Sequence, residues 1–394
     1  MFFKYFNIKG FLKFTFLAWT KTDHPHSRLN LKRILNLLVF HILFFFNQIF
    51  FWISFSLDEI LFPRYKQVKV DKPVFIVGFY RSGTTFLHRL MAKDKKFVIL
   101  HLWEILLAPS ILQRKIYLTL KNALKAIIGQ RFRQIYKKVE RFLLGDNKMH
   151  QPQLDKPEED QYLFTHIWSS LGVWMDSSFV SEADNYIRFD QKVDQKDKDR
   201  IMEFYQLCIK RKLYAHQNRK DLAKKGKYYL SKNPAATPKI KTLHNKFPGG
   251  KIIYLIRNPL DTIPSMVSLA NYVWNCYGDS VEPYSGSDFI FKLAQNWYSY
   301  PLQALADFPK ESYIIVKFED LVSEADKTIE RIYRHFDFEL DSSYRKLLKQ
   351  EAKRARNYKS SHDYSLEEVG LTKSKIVSEL SDVFDRFDFD RSVD

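Results

Sequence analysis

Cysteine is nearly absent: of 394 residues only Cys208 and Cys276 carry a thiol. Their separation matches no metal-ligand spacing and permits one disulfide at most, so a reducing compartment is the simpler expectation. No Asn-x-Ser/Thr triplet occurs, which weighs against a glycosylated luminal domain. A cleavable secretory leader is also missing. Lys9 and Lys13 interrupt the first apolar run, and no small-residue cleavage site follows it. There is no internal repeat and no low-complexity linker. Acid is the minority charge, 45 Asp+Glu against 63 Lys+Arg, leaving a net +18. That excess points to an anionic partner, whether a phosphorylated small molecule, nucleic acid or an anionic membrane, with plain solubility as the blander explanation. The length suffices for one large domain with appendages and a sizeable core.

What is present begins with phenylalanine, 34 of them, concentrated early in the chain. MFFKYFNIKGFLKFTFLAWT alternates aromatic clusters with lysines, as a peptide lying in a headgroup layer would. From Leu37 to Leu57, 21 residues pass without an acid, Lys or Arg, long enough to span a bilayer. Asn47 and Gln48 sit near the middle of that run, where hydrocarbon tolerates polar groups least. Residues 1–57 hold seven Lys/Arg and one acid, Asp23. A hairpin or in-plane helix is therefore expected in preference to a span, with a buried core helix as the third possibility. A second basic stretch, 111–150, carries ten Lys/Arg against Glu140 and Asp146. Its Leu120, Leu124, Ile127, Ile128, Ile135, Val139, Phe142 and Leu143 fall mostly three or four apart. This is an ordinary packed helix or a second membrane-contacting one.

From residue 72 the pattern becomes α/β. VFIV (74–77), YYL (228–230), KIIYLI (251–256) and SYIIVKF (312–318) read as strands. Helical patterns at 84–94, 158–171, 196–224, 237–247, 260–272, 288–307 and 324–336 separate them, predicting a parallel sheet flanked by helices. The expected division is a membrane-associating segment over 1–66 and a catalytic domain over 67–394, interrupted by the basic insertion.

GFYRSGTTF (78–86) follows the first strand and opens a helix. A nucleotidase loop would place lysine after the second glycine, where this chain has Thr84. Backbone N–H groups of 82–85, the hydroxyls of Ser82, Thr84 and Thr85, and the guanidinium of Arg81 still form an anion cradle around Gly83. Without that lysine, and without an apolar strand ending in Asp, Mg-nucleoside triphosphate hydrolysis is disfavoured and a shorter phosphate is suited. KIIYLIRNPLDTIPSMVSL (251–269) is a strand ending in Arg257, followed by a helix bearing Ser265 eight residues later. YYLSKNP (228–234) delivers Lys232 to another strand end. Ligands of open α/β sheets bind at those ends. On the blander view, the loop is a structural turn and Lys232 a surface lysine.

Taken together, PVFIVGFYRSGTTFLHRLM and YLIRNPLDTIPSMVSL resemble the two donor-binding motifs of the superfamily of sulfotransferases that use 3′-phosphoadenosine-5′-phosphosulfate (PAPS). LDEILFP, HLWEILLAPS, KPEEDQYLF, VKFEDLV and SSHDYSLEEVGL resemble its bacterial branch with membrane-associated or lipid-like acceptors. Tyr80 stands where that branch usually has Pro or Trp. The resemblance implies a P-loop-like fold and sulfonate transfer from PAPS to a hydroxyl, without metal. Arg81, Ser82, Gly83, Thr84 and Thr85 would hold the 5′-phosphosulfate, and Arg257 and Ser265 the 3′-phosphate. Lys232 and Arg81 would neutralise transition-state charge, and Glu104 would act as general base, with His101 as its competitor. Glu158, Glu159 and Asp160 are first a helix N-terminus, where carboxylates are stabilising regardless of chemistry. The implied partners are a hydroxylated lipid or other hydrophobic alcohol and a membrane surface rather than nucleic acid, with the catalytic domain on the cytoplasmic side. Two rivals stay open: a degenerate P-loop kinase or NTPase, and a membrane-bound nucleotide-binding protein without catalysis.

Overall fold

The computed structural model describes residues 1–20, 29–144, 153–176, 179–217, 228–277, 286–356, 366 and 369–392. Five parallel strands form one sheet in the order β2-β3-β1-β4-β5. They are β1 (Val74–Gly78), β2 (Phe97–Val98), β3 (Tyr228–Lys232), β4 (Lys251–Ile256) and β5 (Tyr313–Lys317). Four match the sequence reading; the two-residue edge strand β2 was too short to leave a pattern. Strand β1 is central and buried along its whole length, so it is uniformly apolar, as a parallel strand covered on both faces must be.

Alternate strand residues feed two cores. Val74, Ile76, Leu230, Ile253, Leu255 and Val316 pack with Leu87, Leu90, Ile329 and Ile332 on one face. Phe75, Val77, Tyr229, Ile252, Tyr254 and Ile256 belong to the other, much larger core. Tyr5, Phe14, Phe51, Trp52 and Phe55 share this second core, so the amino-terminal segment is packed into the catalytic domain.

The helices that position the site are α1 (Ile8–Thr20), α2 (Leu31–Leu61), α3 (Thr84–Met91), α4 (Leu102–Leu106), α5 (Ile111–Ile128), α6 (Arg131–Leu144), α7 (Gln195–Gln217) and α8 (Pro259–Tyr277). Helix α2 starts at Asn30, whose side chain accepts the Arg33 N–H, and runs 31 residues, about 46 Å. One face is fixed to the domain from end to end. Lys32 donates to the Asn275 carbonyl (2.9 Å), Arg33 to the Ala18 carbonyl (3.2 Å), and Phe40 and Phe44 flank Trp168. Further on, Phe51 stacks on His166 and Asp58 pairs with Arg211 at 2.9 Å. Gln48 turns inward and accepts the Trp52 indole N–H at 2.8 Å. The basic stretch, expected as one amphipathic helix, is two: Gly129, at φ 56°, closes α5, and the Tyr117–Tyr136 hydroxyl contact (2.9 Å) ties α5 to α6. The side chains of Phe142 and Leu143, and most of SSHDYSLEEVGL, lie outside the described residues.

Candidate active site

Two glycines shape the loop after β1. Gly78 has φ 148°, and a Cβ there would meet the Leu255 carbonyl oxygen at 2.2 Å. Gly83, at φ 87°, caps α3, and its Cβ would lie 2.5 Å from the Phe318 ring. Only glycine fits either place. Thr237 braces the entry, accepting the Gly78 N–H (2.9 Å) and donating to its carbonyl (3.0 Å). Between the glycines Arg81 adopts φ 68°, a left-handed conformation that costs a non-glycine residue about 1–2 kcal/mol and here turns the guanidinium out of the loop. Ser82 is buried, its hydroxyl beside Tyr298 without a well-formed hydrogen bond. The N–H groups that open α3 at Thr84 and Thr85 face away from any helical partner, which is the electrostatic requirement for an anion cradle.

The end of β4 comes to this loop. Arg81 Nε donates to Ser265 Oγ at 3.0 Å, joining the loop to α8. Arg257 Nη1 donates to the Arg81 carbonyl (3.3 Å), its Nε pairs with Asp261 (3.1 Å), and its guanidinium lies 4.3 Å above Phe318. Arg81, Ser265 and Arg257, distant in sequence, thus form one cationic, hydroxyl-bearing cluster at the strand ends. Arg257 is partly exposed, and its exposed ion pair with Asp261 is weak enough for a phosphate to displace.

Lys232 lies one strand over, in register with Ile76. It is buried, and its ammonium contacts Glu158 Oε1 (3.1 Å) and Glu159 Oε1 (2.8 Å). Burial pulls the Lys232 pKa down, but Glu159 and Glu158 outweigh it and hold the group above its ordinary value, so it is charged. The blander reading of Lys232 as a surface lysine does not hold, since its side chain is 0 % exposed. Gln161 Nε2 donates to the other Glu159 oxygen (2.8 Å), and Gln161 Oε1 accepts from the Tyr80 hydroxyl (3.3 Å). Asp160 accepts from Tyr229 (2.8 Å), Asn233 (3.0 Å) and Tyr205, which fixes the acidic segment to β3. His88, on α3, is 1 % exposed and neither ring nitrogen has a partner. Burial, with Lys232 adding, pushes it down to about 3, so it is neutral. Sequence reasoning read Glu158–Asp160 first as a helix start and passed over His88 and Gln161. The signal was the run of three acids next to a strand-end lysine, which means little until the fold joins them.

Glu104, the expected base, has a different environment. It is 1 % exposed. Lys212 Nζ contacts both its oxygens (2.6 and 2.7 Å), Arg114 pairs with Oε1, and the His101 N–H and ring Nδ1 lie 3.0 and 2.8 Å from Oε2. The adjacent residue on α7, Arg211, binds Asp58, which in turn caps α5 through the Ile111 and Leu112 N–H groups (2.8 and 2.9 Å). Glu104 therefore joins α4, α5 and α7, next to the node that joins α2 to α7. That geometry suits a structural ion-pair hub better than a base, since both oxygens are already engaged by buried cations.

A profile described as "Sulfotransferase family" matches residues 73–342. The chain belongs to the sulfotransferase family. The enzyme is 24 % identical over 345 residues to the omega-hydroxy-beta-dihydromenaquinone-9 sulfotransferase Stf3 of Mycobacterium bovis, covering 85 % of this chain and 80 % of that one. The Mycobacterium tuberculosis protein of the same name matches equally. Among solved structures, sulfotransferase STF9 from Mycobacterium avium superposes with a TM-score of 0.63 at 17 % identity, covering 86 % of this chain and 82 % of that one. STF1 from Mycobacterium tuberculosis gives 0.59 at 20 %, covering 84 % and 81 %. These superpositions bear out the parallel sheet flanked by helices. As a sulfotransferase, the chain leaves the kinase and NTPase reading without support.

Proposed function

We propose that this sulfotransferase moves a sulfonate from PAPS to the hydroxyl of a hydrophobic, lipid-borne alcohol at a membrane surface. The convergence of Arg81, Ser265 and Arg257 carries the donor half. A guanidinium fork and a hydroxyl suit a 3′-phosphate dianion, while the loop N–H groups, Ser82, Thr84, Thr85 and Arg81 suit the 5′-phosphosulfate. Bound there, PAPS supplies an activated sulfonate. The chain's own residues orient it, exclude water through the buried walls of the loop and balance charge through Lys232.

The acceptor half rests on where apolar surface is exposed. Among the described residues, every strongly exposed large apolar side chain lies in 1–61 or 116–139. On α2 both faces are apolar: Phe40, Phe44, Phe51 and Phe55 pack on the protein while Val39, Ile42, Phe46 and Ile49 face outward. An outward apolar face rimmed by lysine and arginine suits an anionic bilayer. Because α2 is fixed to the domain along its length, an in-plane seat is favoured over a span, with the catalytic domain on the cytoplasmic side where PAPS is made. A lipid alcohol also agrees with the menaquinone derivative in the name of the mycobacterial relatives. Incubation with labelled PAPS and a total lipid extract, followed by mass spectrometry, tests the proposal. A sulfonated lipid is expected, and turnover of water-soluble alcohols alone would overturn it.

A further inference from the structure

The loop and the end of β4 are separate elements, and a tyrosine outside both motifs joins them. Tyr298 lies on α9 (Ser287–Ala306) and is 0 % exposed. It backs the loop together with its neighbour. Trp297 packs on Tyr80 at 5.2 Å between ring centroids, and Tyr298 on Phe79 at 5.4 Å. The Tyr298 hydroxyl donates to the Arg257 carbonyl at 2.8 Å and meets the Thr262 hydroxyl at 2.7 Å. Its one proton goes to Arg257, so it accepts the Thr262 proton. These two bonds close a circuit. The Arg257 guanidinium donates to the Arg81 carbonyl (3.3 Å), Arg81 Nε donates to Ser265 Oγ (3.0 Å), and Ser265 shares α8 with Thr262. Ser82 rests its buried hydroxyl beside Tyr298 without a well-formed bond, which leaves that hydroxyl to turn toward a phosphate oxygen.

Arg81 and Arg257 are like charges in one cluster, and until an anion arrives they push the loop away from the strand end. Neutral contacts must hold the two together. Burial keeps the Tyr298 phenol above its ordinary range, so its hydroxyl stays protonated and donates near neutral pH. Resting on the donor reading above, we infer that Tyr298 is a positioning residue that fixes the spacing between the 5′-phosphosulfate loop and the 3′-phosphate site. It thereby sets the selectivity for a nucleotide carrying both phosphates over one carrying the 5′-phosphate alone. The ribose holds its 3′- and 5′-groups within a narrow range of separations. A loop that drifts from the strand end therefore engages one phosphate well and the second poorly. A ligand with a single phosphate does not feel that drift.

Titration calorimetry on the full chain measures the ratio of affinities for adenosine 3′,5′-bisphosphate and adenosine 5′-monophosphate. Tyr298→Phe keeps the ring on Phe79 and removes the hydroxyl. The ratio is expected to fall about tenfold, through weaker binding of the bisphosphate. Thr262→Val opens the same circuit at another bond and is expected to lower the ratio in the same direction. Tyr254→Phe is the control. It removes a buried hydroxyl that bonds α9 at the Trp297 and Tyr298 carbonyls (3.0 and 3.5 Å) but lies outside the circuit. Its ratio is expected to equal that of wild type. A merely structural role for Tyr298 would lower the number of competent sites and leave the ratio alone. An unchanged ratio in Tyr298→Phe, or in Thr262→Val should Tyr298→Phe not fold, would overturn the inference and leave the donor reading in place. An equal fall in Tyr254→Phe would do the same. Failure of wild type to bind the bisphosphate, or to prefer it, would overturn the donor reading and this inference with it.

Discussion

Arg257 and Glu104 are both charged groups near the strand ends, yet their surroundings predict opposite consequences of substitution. Arg257 is half-open, with one weak acidic partner, so Arg257→Ala is expected to leave folding intact and weaken adenosine 3′,5′-bisphosphate binding. Losing a charge-assisted hydrogen bond costs about 1.5–3 kcal/mol, a roughly 10- to 150-fold loss in affinity. Ser265→Ala should lose about 0.5–1.5 kcal/mol, since a neutral hydroxyl goes. Titration calorimetry reads both, and unchanged affinity in Arg257→Ala would remove the 3′-phosphate assignment. Glu104 is closed, with Lys212 and Arg114 on its oxygens. Glu104→Gln removes the buried carboxylate charge that Lys212 and Arg114 share and is expected to destabilise the fold by about 3–5 kcal/mol. Urea denaturation measures this. Wild-type stability combined with lost turnover would instead restore Glu104 as the base.

At the scale of elements, α1, α2, α5 and α6 differ from the helices around the sheet in which way their apolar side chains point. Leu124 and Ile127 on α5 are 50 % and 78 % exposed, so they contribute little to the core. Leu124→Glu combined with Ile127→Glu is expected to change stability by no more than about 0.5 kcal/mol per site and to release the protein from phosphatidylglycerol vesicles in a sedimentation assay. Vesicle binding that survives the pair would argue against this face as the seat. Deleting residues 1–57 outright is a poorer test. It would strip Tyr5, Phe14, Phe51, Trp52 and Phe55 from the main core.

For the whole molecule, two buried histidines set a dependence on pH. Burial pushes His88 down to about 3 and His166 down to about 4, the latter despite its hydrogen bond with the Ile105 carbonyl. Unfolding returns each to about 6.5, so below that pH the unfolded chain binds more protons and stability falls as pH falls. There is little loss above about pH 6.5, and by pH 5.5 the loss amounts to about 1.4 kcal/mol per histidine. Burial raises Asp58 and Asp160, which act in the opposite sense, so the histidine share is isolated by substitution. Thermal midpoints of wild type and His166→Gln between pH 7.5 and 5.5 check this. The variant should lose less stability on acidification, and equal losses would mean His166 is already charged in the fold.

The strands and the loop glycines could be read from the sequence because they are local patterns, whereas the contacts of Arg81 with Ser265 and Arg257 join segments far apart in the chain. A buried parallel strand must be apolar throughout, and an anion cradle must be glycine-rich at a helix start. The roles of the carboxylates could not. Glu104 looked like a base because it follows the loop at a suitable interval; only the tertiary structure brings Lys212 and Arg114 onto it from α7 and α5. Glu159 looked like a helix-start acid until β3 delivered Lys232 beside it. Charge alone does not say whether a carboxylate will be neutralised, buried or left open, because its partners come from segments far away in the chain. For the same reason the apolar run at 37–57 was ambiguous between span and in-plane helix. Composition determined that it is apolar, whereas the contacts from Lys32 to Asp58 decided which face meets the protein and which faces outward.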